Sequence, residues 1–316
     1  MVSRTLVMVK TMKMITVLVT LFVAGSLSWA QSSRYGENQS AASEGADRLY
    51  RLYCGSGHSV DGSNWTPGID VGEPKDIADN CYLIHDGSHG YFLWDTGVPD
   101  DLTSKPNGVK VNQVLTWKRD NMRNPTLMGQ LAEIHVSPSD IQFIGLSHAN
   151  GDRIGNVELF PQVTLIMAKA EANTYFGPRG AANNPNAERG DSDWIISKTH
   201  PMMTIDEDLD VFKDGNLIMF ATPGHAPGHE ALLVHLKKTG WIILAGDAVM
   251  SFYSNFDNRR VPTINGSEPD VSIKKLQYLV SMDRIAALMS FYRAQLWIGY
   301  DKAQSEKQKL SPDFYE

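Results

Sequence analysis

The sequence predicts an α/β fold in which two mixed β-sheets pack face to face with helices outside, a four-layer αββα sandwich. Short apolar runs typical of strands fall into two groups along the chain, and a helical pattern follows within each group. Polar residues stand directly after several of these runs, which is how α/β folds gather a site at the ends of their strands. We expect one domain over residues 46–316.

The first group of elements lies between residues 48 and 146. Aromatic and aliphatic runs bounded by Gly, Asn and Asp predict short strands. Residues 98–124 show little periodicity and are expected to form a long loop that contains Trp117. The predicted elements are strands at Arg48 to Cys54, Cys81 to His85, Tyr91 to Trp94 and Ile141 to Leu146, and a helix at Pro125 to Ile134.

The second group follows from residue 163 onward. A polar excursion rich in Gly and Asn at residues 177–203 interrupts it, and loops of that length are usually functional or disordered. The predicted elements are strands at Val163 to Met167, Leu217 to Ala221, Ala231 to Leu236, Trp241 to Ala245 and Gln295 to Ile298, and helices at Ala168 to Tyr175 and Ser272 to Arg293.

Residues 1–30 are predicted to be a signal peptide rather than part of the domain. Three Lys and Arg residues precede an apolar run from Met14 to Leu27, and Ser28 and Ala30 supply small residues for cleavage. The run is shorter than the roughly 20 residues of a membrane-spanning helix. The alternative is an N-terminal membrane anchor. We expect a periplasmic or secreted protein with a disordered lead-in at residues 31–45 and no stable membrane insertion after cleavage.

Charge and cysteine content narrow the partners and the compartment. Without residues 1–30 the chain has 26 Lys and Arg against 36 Asp and Glu, a net charge of −10. That balance argues against nucleic acid or anionic lipid as a partner, since both need a basic surface. Export would place Cys54 and Cys81 in an oxidising compartment, where a disulfide would close a loop of about 28 residues and contribute about 3 kcal/mol. The alternative is two buried free thiols.

Five segments place polar residues directly after predicted strands. Any one of them is weak evidence for a site, but five in one chain are much stronger. The segments are Asp95-Thr96-Gly97, Ser147 to Asn156, Thr222 to His229, Gly246-Asp247 and Gly299-Tyr300-Asp301.

These segments resemble the metallo-β-lactamase superfamily, and within it the N-acyl-homoserine lactonase-like branch. The likeness covers roughly residues 46–316 and rests on DTG at 95–97, SHANGDRIGN at 147–156, TPGHAPGH at 222–229, AGDA at 245–248 and WIGYD at 297–301. The family has HxHxDH, then TPGHTPGH, then an Asp after a strand and a late His. By position, the resemblance places His148, Asn150 and His225 at one zinc, Asp152, Arg153 and Tyr300 at a second, and Asp247 between them.

Three of the expected histidines are replaced, by Asn150, Arg153 and Tyr300. Arg153 cannot bind a cation because a guanidinium keeps its protons and has no acceptor. Tyr300 would have to ionise from a pKa of about 10. We therefore expect the second metal site to be lost, with the Arg153 guanidinium paired to Asp152 and Asp247 in its place.

The first metal site keeps two imidazoles and a carboxylate from His148, His225 and Asp247, a ligand set of catalytic zinc sites with an open position for water. Asn150 could add only a neutral carbonyl oxygen. The same ligands suit iron(II) or manganese, and spacing does not choose among these metals. His229 is expected to donate a hydrogen bond to a neighbouring loop or to a metal ligand. Asp95 is expected to fix the turn after its strand or to orient a metal ligand by a hydrogen bond, without contacting the metal itself.

The resemblance implies a hydrolase that opens a lactone or ester and retains at most one metal ion. Asp152 is expected to act as general base, with Arg153 or Tyr300 stabilising the oxyanion. The alternatives are a non-catalytic descendant that binds a small lactone or ester and, last, a β-lactam hydrolase. Other candidates are His58, His89 and His200 as replacement ligands, and Tyr175, Phe176 and Trp194 as pocket lining or simple packing.

Overall fold

Two mixed sheets form the centre of the computed structural model, which describes residues 44–316 apart from 88, 112, 120–122, 179, 181, 183–193 and 263–272. The predicted signal peptide, and the predicted lead-in up to residue 43, lie outside the described residues. No helix in the described part of the chain combines the length and apolar character needed to cross a membrane.

The first sheet has eight strands and contains the hairpins of the N-terminal half. Its members are β1 (Arg48–Ser59), β2 (Lys75–Asp86), β3 (Gly90–Trp94), β4 (Val109–Lys110), β5 (Leu115–Lys118), β6 (Ile141–Gly145), β7 (Thr164–Ala168) and β8 (Met202–Ile205). The strand order is β4-β5-β1-β2-β3-β6-β7-β8. Strands β3, β6, β7 and β8 run parallel to one another, whereas the other neighbours are antiparallel.

The second sheet has five strands from the C-terminal half. Its members are β9 (Leu209–Asp210), β10 (Leu217–Ala221), β11 (Glu230–Leu236), β12 (Gly240–Leu244) and β13 (Gln295–Trp297), in the order β13-β12-β11-β10-β9. Only β12 and β13 are parallel among these pairs. The described helices are α1 (Leu127–Glu133), α2 (Gly151–Ile154), α3 (Lys169–Tyr175), α4 (Ile273–Tyr292) and α5 (Lys302–Ser305).

Side chains of β2 and β3 alternate between two cores. Tyr82 and Ile84 join the core between the sheets, where they meet residues of the second sheet such as Leu232 and Leu244. Cys81 and Leu83 point the other way, into a core that includes side chains of α1 and α3. Alternation with period two is what a strand covered on both faces requires. The predicted αββα sandwich is confirmed.

Cys54 and Cys81 are joined by a disulfide, with 5.7 Å between their Cα atoms. The bond connects neighbouring strands β1 and β2 next to a bulge at Tyr53 and Gly55. Gly97 lies directly over it, since a Cβ on Gly97 would be 2.3 Å from the Cβ of Cys54, and its φ of +72° also favours glycine. The disulfide therefore supports the turn that follows β3.

Several element boundaries differ from the predictions. Strand β1 continues to Ser59, and β2 begins at Lys75. The two strands remain paired over these added residues, in sequence that is rich in Gly, Ser and Asp. Cross-strand backbone hydrogen bonds form there despite the low strand propensity of those residues. Residues 98–124 are not one loop, because they include β4 and β5, and Trp117 of β5 is buried. The short strands β8 and β9 were also not predicted.

Candidate metal centre

The five polar segments come together at one edge of the sandwich. Strands β3 and β6 are parallel neighbours, so the turn at Asp95 and the segment from Ser147 leave the first sheet side by side. The backbone N–H of Glu230, at the start of β11, donates to the carbonyl of Ser147 over 2.8 Å. This bond ties the loop before β11 to the first sheet and closes the site between the two sheets.

A chain of hydrogen bonds fixes the ring of His148, which is fully buried. The Ser147 hydroxyl donates to Oδ2 of Asp95 over 2.8 Å, so its oxygen is left to accept from Nδ1 of His148 at 3.1 Å. Burial lowers the pKa of His148 well below its usual value. The ring is therefore neutral, with the proton on Nδ1 and the lone pair on Nε2. Asp95 thus orients a candidate metal ligand, and its φ of +57° marks the tight turn that holds it there.

Two histidine nitrogens, one of them carrying that lone pair, lie near the same oxygen of Asp247. Nε2 of His148 lies 3.7 Å from Oδ2 of Asp247, and Nε2 of His225 lies 3.4 Å from the same oxygen. Among the described residues, neither Nε2 of His148 nor Oδ2 of Asp247 has a hydrogen-bond partner, although both atoms are buried. Two buried acceptors that face each other without a donor are unfavourable unless a cation or a water lies between them. His148 and Asp247 therefore fit one metal ion, and His225 reaches the same oxygen of Asp247 from the other side of the site.

His225 lies at the exposed side of the site. Its Nδ1 is 3.0 Å from the hydroxyl of Tyr278 on α4, and its Nε2 is 3.0 Å from Nδ2 of Asn150. Donation from the Asn150 amide requires the lone pair on Nε2 and hence the proton on Nδ1. Asn150 itself is exposed. It presents its amide nitrogen rather than its oxygen to His225, and it would have to move for His225 to bind an ion.

His229 supports the site but is not available as a ligand. His148, His229 and Asp247 are close enough to share an ion. However, Nε2 of His229 already accepts the backbone N–H of Asp247 over 2.8 Å, and its Nδ1 lies 2.8 Å from the hydroxyl of Thr222. Both ring nitrogens are used, as expected for a residue that positions Asp247. Burial keeps its pKa well below the usual value and the ring neutral.

The guanidinium of Arg153 fills the space among four buried carboxylates. NH1 donates to Oδ1 of Asp79 over 2.7 Å and NH2 to Oδ1 of Asp247 over 2.5 Å. NH2 also lies 3.3 Å from Oδ2 of Asp152, and Nε lies 4.0 Å from Oδ2 of Asp95. Arg153 is 1% exposed. Because a fixed positive charge occupies this position, the residues present do not fit a second metal ion.

The Arg153 charge sets the ionisation of its neighbours. Burial alone would raise the pKa of Asp247, but Arg153 and the nearby histidines outweigh it and hold that pKa below its usual range. Burial raises the pKa of Asp79 to about 8 and that of Asp95 to about 7, with Arg153 opposing the rise in both. One guanidinium cannot neutralise four carboxylates, so the group nearest to it, Asp247, is held ionised most strongly.

Tyr300 completes this buried cluster. Its hydroxyl donates to Oδ2 of Asp152, and its ring lies under the guanidinium of Arg153, 4.4 Å from ring centre to Cζ. The rings of Trp65 and Trp117 pack against it at 5.4 and 5.9 Å. Asp152 and Tyr300 are each 5% exposed. The structure thus places the three predicted catalytic residues in contact with one another, behind the candidate metal ligands.

Three residues of the site were not predicted from the sequence: Asp79, Glu171 and Tyr278. Asp79 lies in the part of β2 that precedes Cys81, where the sequence pattern did not predict a strand. Glu171 accepts backbone N–H groups from two of the site loops. Tyr278 is buried in α4 and reaches His225 across a long sequence separation, for which the local sequence carries no signal.

The remaining candidates make contacts of their own. His58 pairs with Asp76, and His89 stacks on Phe212. Trp194 packs in the same cluster as Trp117 and Tyr300. Of the others, His200 bonds the carbonyl of Val163, Tyr175 accepts the N–H of Ile196, and Phe176 packs on the ring of Tyr175.

Several known proteins of similar sequence are N-acyl homoserine lactonases. The chain is 25% identical over 231 residues to the N-acyl homoserine lactonase AttM of Azorhizobium caulinodans, covering 72% of this chain and 83% of that protein. It is 27% identical over 265 residues to an N-acyl homoserine lactonase from a Bacillus species, covering 83% and 94%.

Solved structures show the same fold. An N-acyl homoserine lactone hydrolase with N-hexanoyl-L-homoserine bound at its catalytic metal centre superposes with a TM-score of 0.70, at 21% identity over 86% of this chain and 100% of that one. AidC, a dizinc quorum-quenching lactonase, gives a TM-score of 0.57 at 16% identity over 85% and 96%. The family model described as "Metallo-beta-lactamase superfamily" matches residues 76–288, which is more than half of the chain. The chain belongs to the metallo-β-lactamase superfamily.

Proposed function

We propose that this protein hydrolyses a lactone or ester with a single divalent metal ion held by His148, His225 and Asp247. The observation that carries the proposal is the pair of buried acceptors, Nε2 of His148 and Oδ2 of Asp247, which face each other without a donor. The similarity to N-acyl homoserine lactonases supports the substrate class. Zinc is the first candidate, and iron(II) or manganese would suit the same ligands.

The residues around the ion divide the work of holding it. Asp95 acts through Ser147 to keep the lone pair of His148 pointing inward, and Tyr278 does the same for His225. Arg153 binds Oδ1 of Asp247 and leaves Oδ2 free. An ion at this position would acidify water and polarise the carbonyl of the substrate. Asn150, at the exposed side of the site, would then be free to donate a hydrogen bond from its side-chain amide to an acceptor atom of the substrate.

The catalytic roles expected for Asp152, Arg153 and Tyr300 stay predictions. Their mutual contacts favour a positioning role, because the Tyr300 hydroxyl and the Arg153 guanidinium both occupy Oδ2 of Asp152. A general base needs a free lone pair within reach of the reacting water. This occupation is also the observation that favours the second candidate function, a non-catalytic protein that binds a small lactone or ester.

Metal analysis of the purified protein, grown and dialysed with zinc, iron or manganese, tests the proposal. We expect one equivalent per chain, loss of that equivalent in His148→Ala and His225→Ala, and N-acyl homoserine lactone hydrolysis that follows metal content. His58→Ala is the matched control, because His58 pairs with Asp76 at the surface. No binding at excess metal, or two equivalents, would contradict the single-ion site. One equivalent without turnover of lactones or simple esters would establish the non-catalytic alternative instead.

We further propose that the protein is exported to the periplasm or secreted. The predicted signal peptide at residues 1–30 and the Cys54–Cys81 disulfide support this, since disulfides persist in oxidising compartments. Mass spectrometry of the protein from its native host should show that the mature chain begins after Ala30. An intact N-terminus in a cytoplasmic fraction would rule export out.

A further inference from the structure

Glu171 bridges the two loops that carry the histidine ligands. It is the third residue of α3 and is 5% exposed. Its Oε1 accepts the backbone N–H of Ala149 at 3.0 Å, and its Oε2 accepts the backbone N–H of Gly228 at 3.2 Å. Ala149 follows His148 directly, and Gly228 is in the loop between β10 and β11 that presents His225. One carboxylate therefore joins the backbones of both ligand loops.

The packing around Glu171 leaves little freedom for either loop. A Cβ on Gly228 would lie 2.3 Å from the backbone nitrogen of Glu171, so the loop approaches the start of α3 more closely than any other residue would permit. A backbone N–H without an acceptor is costly to leave unpaired, most of all in a buried position such as that of Gly228. A carboxylate with two separate oxygens satisfies both at once, and these bonds are strengthened by its charge.

We propose that Glu171 is a positioning residue that sets the separation of His148 and His225 and thereby the metal affinity of the site. This inference rests on the proposed single-ion site. The two ligands come from different sheets, and the distance between their Nε2 atoms depends on how the loops are held. Groups that orient metal ligands typically change metal affinity by about 10- to 100-fold when they are mutated.

Glu171→Gln is the direct test, because it keeps the size of the side chain but offers only one acceptor oxygen. In the metal-free protein we expect faster hydrogen exchange at the amides of Ala149 and Gly228. With metal, we expect Co²⁺ and Zn²⁺ dissociation constants about 10- to 100-fold higher than in the wild type and an altered visible spectrum of the Co²⁺ protein. Glu171→Asp, which keeps the charge but is one methylene shorter, should fall between the two.

Glu158→Gln is the matched control. Glu158 also accepts a backbone N–H, that of Ser197 at 2.8 Å, but its side chain is 50% exposed, and its partners Ser197 and His200 lie outside both ligand loops. It should leave metal affinity unchanged. Unchanged exchange at Ala149 and Gly228, or a metal affinity equal to that of Glu158→Gln, would overturn the inference. If Glu171→Gln does not fold, the Glu171→Asp measurements decide the question in the same way. The exchange experiment needs no metal, so its result is separate from any failure of the proposed function.

Discussion

At the scale of single residues, the site depends on which charges the fold buries together. The motif residues His148, His225 and Asp247 could be placed from the sequence, as could the pairing of Arg153 with Asp152 and Asp247. Asp79 could not, because nothing in its local sequence shows that β2 begins before Cys81, at Lys75, and brings that carboxylate within 2.7 Å of Arg153. Long-range partners of a buried charge are set by strand register, which local patterns do not encode.

Replacing Arg153 with Met should strongly destabilise the protein at neutral pH. The change keeps much of the apolar volume but leaves buried carboxylates, Asp247 foremost, without their counter-charge. Removing one partner of a buried ion pair typically costs about 3–5 kcal/mol. Urea denaturation at pH 7 measures the free energy of unfolding. Arg123→Met is the control, because Arg123 is 87% exposed and its pair with Glu133 is at the surface, worth at most about 1 kcal/mol. An Arg153→Met protein as stable as the control would show that the cluster is not held by this charge.

At the scale of elements, strands with continuous buried residues were predictable, and short, partly exposed strands were not. The hairpin of β10 and β11 was located because its buried residues are continuous, whereas β8 and β9 have mostly half-exposed residues and no clear alternation. The start of β11 also contains a buried carboxylate that destabilises the strand, which the hydrophobic pattern does not reveal. Glu230 is 4% exposed there, and its Oε2 has no hydrogen-bond partner in the part of the chain that the structure describes.

Glu230 should make the stability of this hairpin pH-dependent. Burial raises the pKa of Glu230 to about 8, with Asp208 adding to the rise and Arg284 opposing it. Because the folded pKa is above the unfolded one, the folded protein binds the extra proton. Its contribution to stability is complete below the usual pKa of 4.5 and is lost as the pH rises through about 8. At about 1.4 kcal/mol per pKa unit, the effect is on the order of a few kcal/mol.

Glu230→Gln removes this titration. The free energy of unfolding of the variant, relative to that of the wild type, should therefore be higher at pH 8 than at pH 5. Free energies of unfolding of both proteins at pH 5, 6.5 and 8 provide the measurement. Glu306→Gln is a suitable control because Glu306 is exposed. If the difference between Glu230→Gln and the wild type is the same at all three pH values, Glu230 is ionised in the folded protein and the assignment is wrong.

At the scale of the whole molecule, the layered architecture followed from the sequence, but the partner of each strand did not. Two groups of apolar runs with helices between them leave few arrangements other than packed sheets with helices outside. The order of the first sheet, with β5 and β4 added beyond β1, depends on pairings that local periodicity does not specify. The same holds for the site. The sequence located the loops that form it, but not the distances between the side chains that those loops carry.

The contrast between one ion and two can be tested by restoring the family's histidines in one variant, Asn150→His, Arg153→His and Tyr300→His together. Removing the guanidinium leaves Asp152 and Asp247 free to bind a second cation, and removing the phenol frees Oδ2 of Asp152. We expect metal content to rise to two per chain and lactone hydrolysis to increase by orders of magnitude.

Asn150→His alone is the control for that variant. It should tighten the binding of one ion by adding an imidazole beside His225 without changing the stoichiometry, since Arg153 still occupies the second position. A folded triple variant that binds only one ion would mean that Arg153 does not stand in for the second cation. A variant that binds two ions yet hydrolyses no lactone would instead separate this chain from the lactonases, because the complete ligand set would then be present in the same scaffold without the chemistry.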